Sequence, residues 1–425
     1  MRCISRLVVR SSRRAVAVPL LLGCGLALGA DDSIAAPMTT LRVSVPAAGG
    51  PANGNSRDGV ISNDGTKVAF DSTATNLVPA DTNNAPDVFV RDVVKGTTQR
   101  VSVSSSEHQA AGTSHVVAIS RDGRFILFDS IAPNIVTGDV NGQSDVFVRD
   151  LLTRTTRQVD LGQGDVRPHP SQCCPSFGLD ISANGRWVLF GTGAPNIVGS
   201  NAGIGIVLRD LKKHVTKTIA TADNFVAPIA ARVSIDGKVI AYSIGGLSTG
   251  GDFPGDSFVL TRGAGHKRTR INARPGDGSI VADIARRGRL VLITVFREGT
   301  SGAEVFVDDR QTHTRTRVDV SPARAWSISP TAQAVSADGR FVTFVSGYEQ
   351  FVPGDTNDRF DVFRRDLMLG RTRRISVRAA GGQIDRNSHG GAMAADGRSV
   401  AFWTFGDATP GGGNSAVDVF LRGRR

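Results

Sequence analysis

The stretch Gly354-Asp-Thr-Asn-Asp-Arg-Phe-Asp-Val-Phe-Arg-Arg-Asp366 has two close copies earlier in the chain. Pro79 to Asp92 contains DTNNAPDVFVRD, and Thr137 to Asp150 contains GDVNGQSDVFVRD. A unit that recurs along a chain and cannot bury its own apolar face must stack on its neighbours, so the repeat decides the fold before any local signal does.

A turn motif marks each unit, at Asp64-Gly65, Asp122-Gly123, Asn184-Gly185, Asp236-Gly237, Arg287-Gly288, Asp338-Gly339 and Asp396-Gly397. Asp-Gly or Asn-Gly between apolar runs signals a hairpin, because glycine takes positive φ freely and the acidic side chain caps a turn N–H. After each turn comes a short apolar run, such as Phe125-Ile-Leu-Phe128 or Trp187-Val-Leu-Phe190, that reads as a strand buried on both faces. A third strand follows, as in Asp145-Val-Phe-Val148. The fourth is more polar, as in Arg100-Val-Ser-Val103 and Arg374-Ile-Ser-Val377, and small residues such as Ala332-Gln-Ala-Val-Ser336 form the strand before the turn.

The last unit ends without a fourth strand, and Arg42-Val-Ser-Val45 near the other terminus matches the missing piece. An N-terminal strand joining the last unit closes a ring and removes two open sheet edges. The expected fold is therefore an all-β, seven-bladed β-propeller with four antiparallel strands per blade, occupying residues 39–425 as one domain. Residues 1–36 read as an export signal and short leader, with arginines at 2, 6, 10, 13 and 14 ahead of an apolar, Gly-containing stretch. That stretch is short for a membrane span, so the mature chain is expected to lack one. Cys24 offers a second reading, a lipid-anchored protein.

The unit from Ser-x-Asp-Gly through Val-Ala-Phe, Asn-Leu-Val, Asp-Thr-Asn and Asp-Val-Phe-Val-Arg-Asp resembles the TolB-type, WD-like propeller repeat of bacterial exported proteins. Units one, two, six and seven fit best, while units three to five have drifted. The resemblance implies a propeller and, by analogy, a surface for protein partners in the periplasm or outside the cell; a fold shared so widely does not fix function.

The formal charge of +11 suggests nucleic acid only until the first 30 residues are set aside, which leaves 45 basic residues against 39 acidic ones. No basic stripe interleaved with aromatics stands out, so nucleic acid is not the expected partner. Cys173 and Cys174 are the thiols left outside the leader, and read either as a vicinal disulfide or as two free thiols in a loop.

In a propeller the long second-to-third and fourth-to-first connections share one face, and function gathers on loops held by a rigid scaffold. In those loops Asp81, Asn83 and Asp87, then Asp139, Asn141 and Asp145, then Asp355, Asn357 and Asp361, stand at the first, third and seventh positions of a calcium-loop spacing. Calcium, the one cofactor this spacing suggests, is one reading. The other is Asx turns that launch the third strand, since the late bidentate Glu is missing. Counting back from each turn places Arg57, His115, Phe177, Ile229, Ile280, Thr331 and His389 at the upper ends of the innermost strands. Arg57, His115 and His389 then form a polar, potentially cationic sector of the channel mouth for an anionic group, opposite an apolar one that includes Phe177; the alternative is a plain watery channel.

Catalytic motifs are close to absent. Gly246-Leu-Ser-Thr-Gly250 matches a nucleophile elbow but opens no helix. Asp92, Asp150, Asp210 and Asp366, repeated at third-strand ends, read as braces for the next turn. The sequence thus points to a monomeric, non-catalytic exported scaffold that binds a protein or cell-envelope component. The alternatives are a propeller enzyme acting on polysaccharide or peptide at the channel mouth, and a calcium-stabilised adhesion module.

Overall fold

The computed structural model describes residues 38–168, 175–199, 203–221, 228–245, 255–263, 267–272, 276–298, 302–320, 330–410 and 415–423. The readings of the leader, Cys24, Cys173-Cys174 and Gly246 to Gly250 lie outside these residues, as does the side chain of Ile229.

Seven four-stranded antiparallel sheets follow one another along the chain. Blade one is typical, with strands Ser56–Ile61, Lys67–Ser72, Asp87–Asp92 and Thr97–Arg100 paired in sequence order. Blade seven contains Ser388–Met393, Val400–Thr404 and Asp418–Gly423, and its fourth strand is the N-terminal Thr39–Arg42, with Leu41 opposite Leu421. The ring is closed as the sequence requires. Among the described residues, no helix is long and apolar enough to cross a membrane.

The fourth strands lie earlier than their sequence suggests. They end at Arg100 and Arg374 rather than beginning there. Past the arginine, Val101 N donates to Val88 O at 2.7 Å and the Val101 side chain is buried. Ser102 then turns its hydroxyl onto Asp87 Oδ1 at 2.5 Å, and Ser44 does the same to Asp418 at 2.6 Å. The Val-Ser-Val motif is therefore a latch that folds under the third strand.

The marker turns of blades one to four and six are built the same way, and blade seven keeps the backbone bond with Ala394 in place of the serine. In blade one Gly65 has φ 71°, Gly65 N donates to Ser62 O, and Asp64 Oδ1 accepts from Ser62 Oγ and Thr66 N. Blade five departs, with Arg287 itself at φ 57° ahead of Gly288. The expected braces are present: Asp150 accepts from Leu152 N and pairs with Arg124 at 2.6 Å, and Arg186–Asp210, Arg289–Asp309 and Arg340–Asp366 repeat the ion pair.

The core sits between blades, where second and third strands set aromatic residues directly opposite one another. Phe128 and Phe147 pair at 5.5 Å, Phe344 and Phe363 at 5.4 Å, and Phe402 and Phe420 at 5.6 Å. Such pairs contribute beyond their buried area. In units three and five the pair erodes to Phe190 opposite Val207 and Ile293 opposite Phe306, while unit four keeps Tyr242 against Phe258 at 5.5 Å. Every first strand carries a bulge at the same level, which re-aims the side chains near the axis.

Candidate functional site

Two of the three calcium-spaced loops, those of blades one and six, hold their first and seventh residues around an arginine instead of a cation. In blade one the Arg100 guanidinium lies 3.3 Å from Asp81 and 3.4 Å from Asp87, and Gln109 Nε2 donates to both carboxylates at 2.9 Å. Blade six repeats this, with Arg374 3.0 Å from Asp355 and 3.3 Å from Asp361. An arginine side chain thus supplies the positive charge in both. It comes from the fourth strand, which is why a motif confined to the loop did not include it. The Asx-turn reading holds in all three loops: Asn83, Asn141 and Asn357 each accept from the backbone N–H two residues on.

Blade two differs. Gln158 replaces the arginine and Asp160 replaces the serine, so Asp145 accepts from Gln158 Nε2 at 2.8 Å and faces a second carboxylate. Burial, and then that neighbour, push Asp145 well above the carboxylate range; burial raises Asp160 too. Among the described residues, no three His, Cys, Asp or Glu side chains are grouped so that they alone could hold a metal ion.

At the channel mouth, the structure brings Arg57 and His389 together around Trp403. The Arg57 guanidinium stands 5.7 Å from the Trp403 ring and 5.7 Å from Phe405, while the His389 ring packs at a tilt against Trp403 at 4.6 Å and against Phe360 at 5.6 Å. His115 Nδ1 is 3.2 Å from Asp71 Oδ2. Phe177 stays within its own blade, its ring against Gly191, where any Cβ would lie 2.2 Å from it.

Asp58, Asp71, Asp129, Trp403 and Phe405 were missed by counting along the first strand. Asp71, Asp129 and Trp403 each follow the second-strand aromatic (Phe70, Phe128, Phe402), a position held elsewhere by Gly191, Ser243, Thr294 and Val345. From there a side chain reaches the next blade's innermost strand: Asp71 reaches His115, and Asp129 Oδ1 accepts from Gly178 N at 2.8 Å. That recurring position is the signal that would have found them. Asp58 sits in the blade-one bulge with φ 54°, in a left-handed conformation that non-Gly residues adopt at a cost.

The sector is amphoteric rather than cationic. The Asp71 hydrogen bond raises the His115 pKa and burial lowers that of His389; Asp58 is raised by partial desolvation among the crowded walls of the mouth and then by repulsion from Asp71, although its side chain is solvent-exposed. Burial, with the Asp160 carboxylate behind it, pushes Asp129 up to about 7. Asp71 Oδ1 is buried and has no hydrogen-bond partner.

The opposite end of the channel holds a cavity of about 160 Å³ lined in part by Asn63, Arg121, Asp180, Asp283 and Arg287. Its acids are inter-blade staples: Asp180 Oδ2 accepts from Val233 N at 2.8 Å and Asp283 Oδ2 from Val335 N at 2.9 Å.

These acids set a pH dependence. Burial raises Asp129 to about 7 and both Asp180 and Asp355 to about 6. A folded pKa above the unfolded value of about 3.9 means that the fold takes up protons, so stability falls as pH rises from about 4 to 7. Asp150 and Asp309 are displaced the other way by Arg124 and Arg289 and lose their contribution below that window. The melting midpoint is expected to peak at about pH 4, several degrees above its value at about pH 8. A midpoint in calorimetry that climbs steadily from 5 to 8 contradicts this.

No protein-family model matches the chain, and no curated protein matches it in sequence. Solved structures do resemble it. Oligogalacturonate lyase from Vibrio parahaemolyticus superposes with TM-score 0.54 at 11% identity over 92% of this chain and 97% of its own. The β-propeller domain of the Trilobed protease from Pyrococcus furiosus gives 0.54 at 12% over 87% and 93%. TolB from Acinetobacter baumannii aligns at 0.39, 11% identity, over 84% and 77%, which does not single out the TolB type. The class is thus a seven-bladed β-propeller, and similarity at this identity carries the fold alone.

Proposed function

We propose that the protein is an exported, monomeric, non-catalytic β-propeller that binds a protein or cell-envelope partner through its loop-rich face, centred on the blade seven-one-two sector. The observation that supports this reading is the convergence of Arg57, Asp58, Asp71, His115, His389 and Trp403 from three consecutive blades. Phe405, 47% exposed, extends the sector onto the surface. An aromatic and arginine cluster ringed by polar groups is the composition of a binding hot spot. The export half of the proposal rests on the basic, apolar leader.

The mature chain, immobilised and exposed to envelope extract, is expected to retain one or a few components and to release them when Trp403 is replaced by alanine. Retention unaffected by Trp403→Ala and Arg57→Ala sinks the reading.

A second reading is favoured by the titratable groups there: Asp129, pushed up to about 7, and His115 are the kind of acid–base pair an enzyme uses. Turnover of oligosaccharides or peptides by the wild type, abolished in Asp129→Asn, would select it.

A further inference from the structure

We propose that blade two binds a hard, oxygen-loving cation of the calcium kind where blades one and six carry an arginine side chain. The chain supplies its own controls for this. In blades one and six the site consists of two loop carboxylates, a fourth-strand arginine, a latch serine and a glutamine: Asp81, Asp87, Arg100, Ser102 and Gln109, then Asp355, Asp361, Arg374, Ser376 and Gln383. Both latch hydroxyls donate to the third-strand aspartate.

Blade two keeps Asp139 and Asp145 but has Gln158 for the arginine, Asp160 for the serine and Arg167 for the glutamine. The serine-to-aspartate change adds one negative charge. It also removes a hydroxyl donor and puts an acceptor in its place. Asp145 and Asp160 are both 0% exposed, and Gln158 is 7% exposed.

Arg167 does not take over the role of Arg100. Its Nη2 donates to Thr137 O at 2.6 Å, its Nη1 has no partner, and among the described residues it makes none of the ion pairs that Arg100 and Arg374 make. Two buried acceptors have no partner in hydrogen-bond geometry, Gln158 Oε1 and Asp160 Oδ2, with the Ser176 hydroxyl beside the Asp160 carboxylate. Their other atoms are committed beside Asp145, since Gln158 Nε2 donates to Asp145 Oδ1 and Asp160 Oδ1 accepts from Val146 N at 3.2 Å.

A buried acceptor without a donor is costly, and a pair of facing carboxylates adds repulsion. A cation removes both penalties at once. The donors are all oxygen: the Asp145 and Asp160 carboxylates and the Gln158 side-chain amide, with water completing the shell. Calcium accepts six to eight such ligands in loose geometry, whereas magnesium demands a near-octahedral set. The alternative is a proton held between Asp145 and Asp160.

The test uses the mature chain, stripped with EGTA and then melted in EGTA, calcium chloride or magnesium chloride, with calcium titration calorimetry alongside. Calcium is expected to raise the midpoint by several degrees, with magnesium doing less, because it binds the folded state selectively. The triple variant Gln158→Arg, Asp160→Ser, Arg167→Gln writes the blade-one residues into blade two and is expected to fold without calcium and to lose the response. Asp160→Asn, a milder change, serves if the triple variant does not fold, and is expected to weaken calcium binding at least tenfold. Identical wild-type midpoints and no heat in calcium overturn the proposal in favour of the shared proton. A full calcium response in both variants overturns it by placing the ion elsewhere.

Discussion

Replacing Val43 with aspartate is expected to lower the melting midpoint by roughly ten degrees or more, or to prevent folding. Val43 lies just past the strand that closes the ring; its N–H donates to Val419 O at 2.8 Å and its side chain is fully buried in a cluster with Phe70 and Val419. A carboxylate there has no partner and cannot reach water, which costs several kcal/mol in a fold whose whole stability is about 5 to 15 kcal/mol. The control is Ala47→Asp, four residues on and exposed, which should melt within a degree or two of the wild type. If Val43→Asp melts with the control, closure by the N-terminal strand is not what holds the ring.

Trp403→Ala is expected to weaken partner retention by about thirtyfold, the scale of a central hot-spot aromatic. The ring is the surface on which Arg57, His389 and Phe405 are arranged, so its loss removes the platform as well as its own contact area. Because Trp403 also packs against the core between blades seven and one, the variant's folding is checked by its melting curve, and Arg57→Ala, exposed, tests the same sector without that complication. Trp403→Phe should restore part of the affinity. Full retention by both alanine variants places the contact elsewhere.

The parts of the fold that were legible in the sequence are those with short-range causes. Asp64-Gly65 and its copies declare a turn because glycine's positive φ and the aspartate cap act within a few residues. The match of Arg42-Val-Ser-Val45 to Arg100-Val-Ser-Val103 exposed the closure, although the motif proved to be the latch after the strand. Arg57, His115 and His389 were found because equal steps from a fixed turn land at equal heights on the innermost strands. Asp71, Asp129 and Trp403 escaped because they reach their partners across a blade boundary, a relation that no period within one unit contains. Arg100 escaped from the calcium-spaced loop for a similar reason: it lies a strand away from Asp87 in sequence and 3.4 Å away in space.

The most direct test of the central claim is hydrogen–deuterium exchange on the mature chain, with and without the component captured from envelope extract. Protection is expected in peptides covering Arg57-Asp58, Asp71, His115, His389 and Trp403 to Phe405, with the Asp-Gly turns unchanged. Protection confined to the turn face, with the blade seven-one-two sector exchanging as in the free protein, would contradict it.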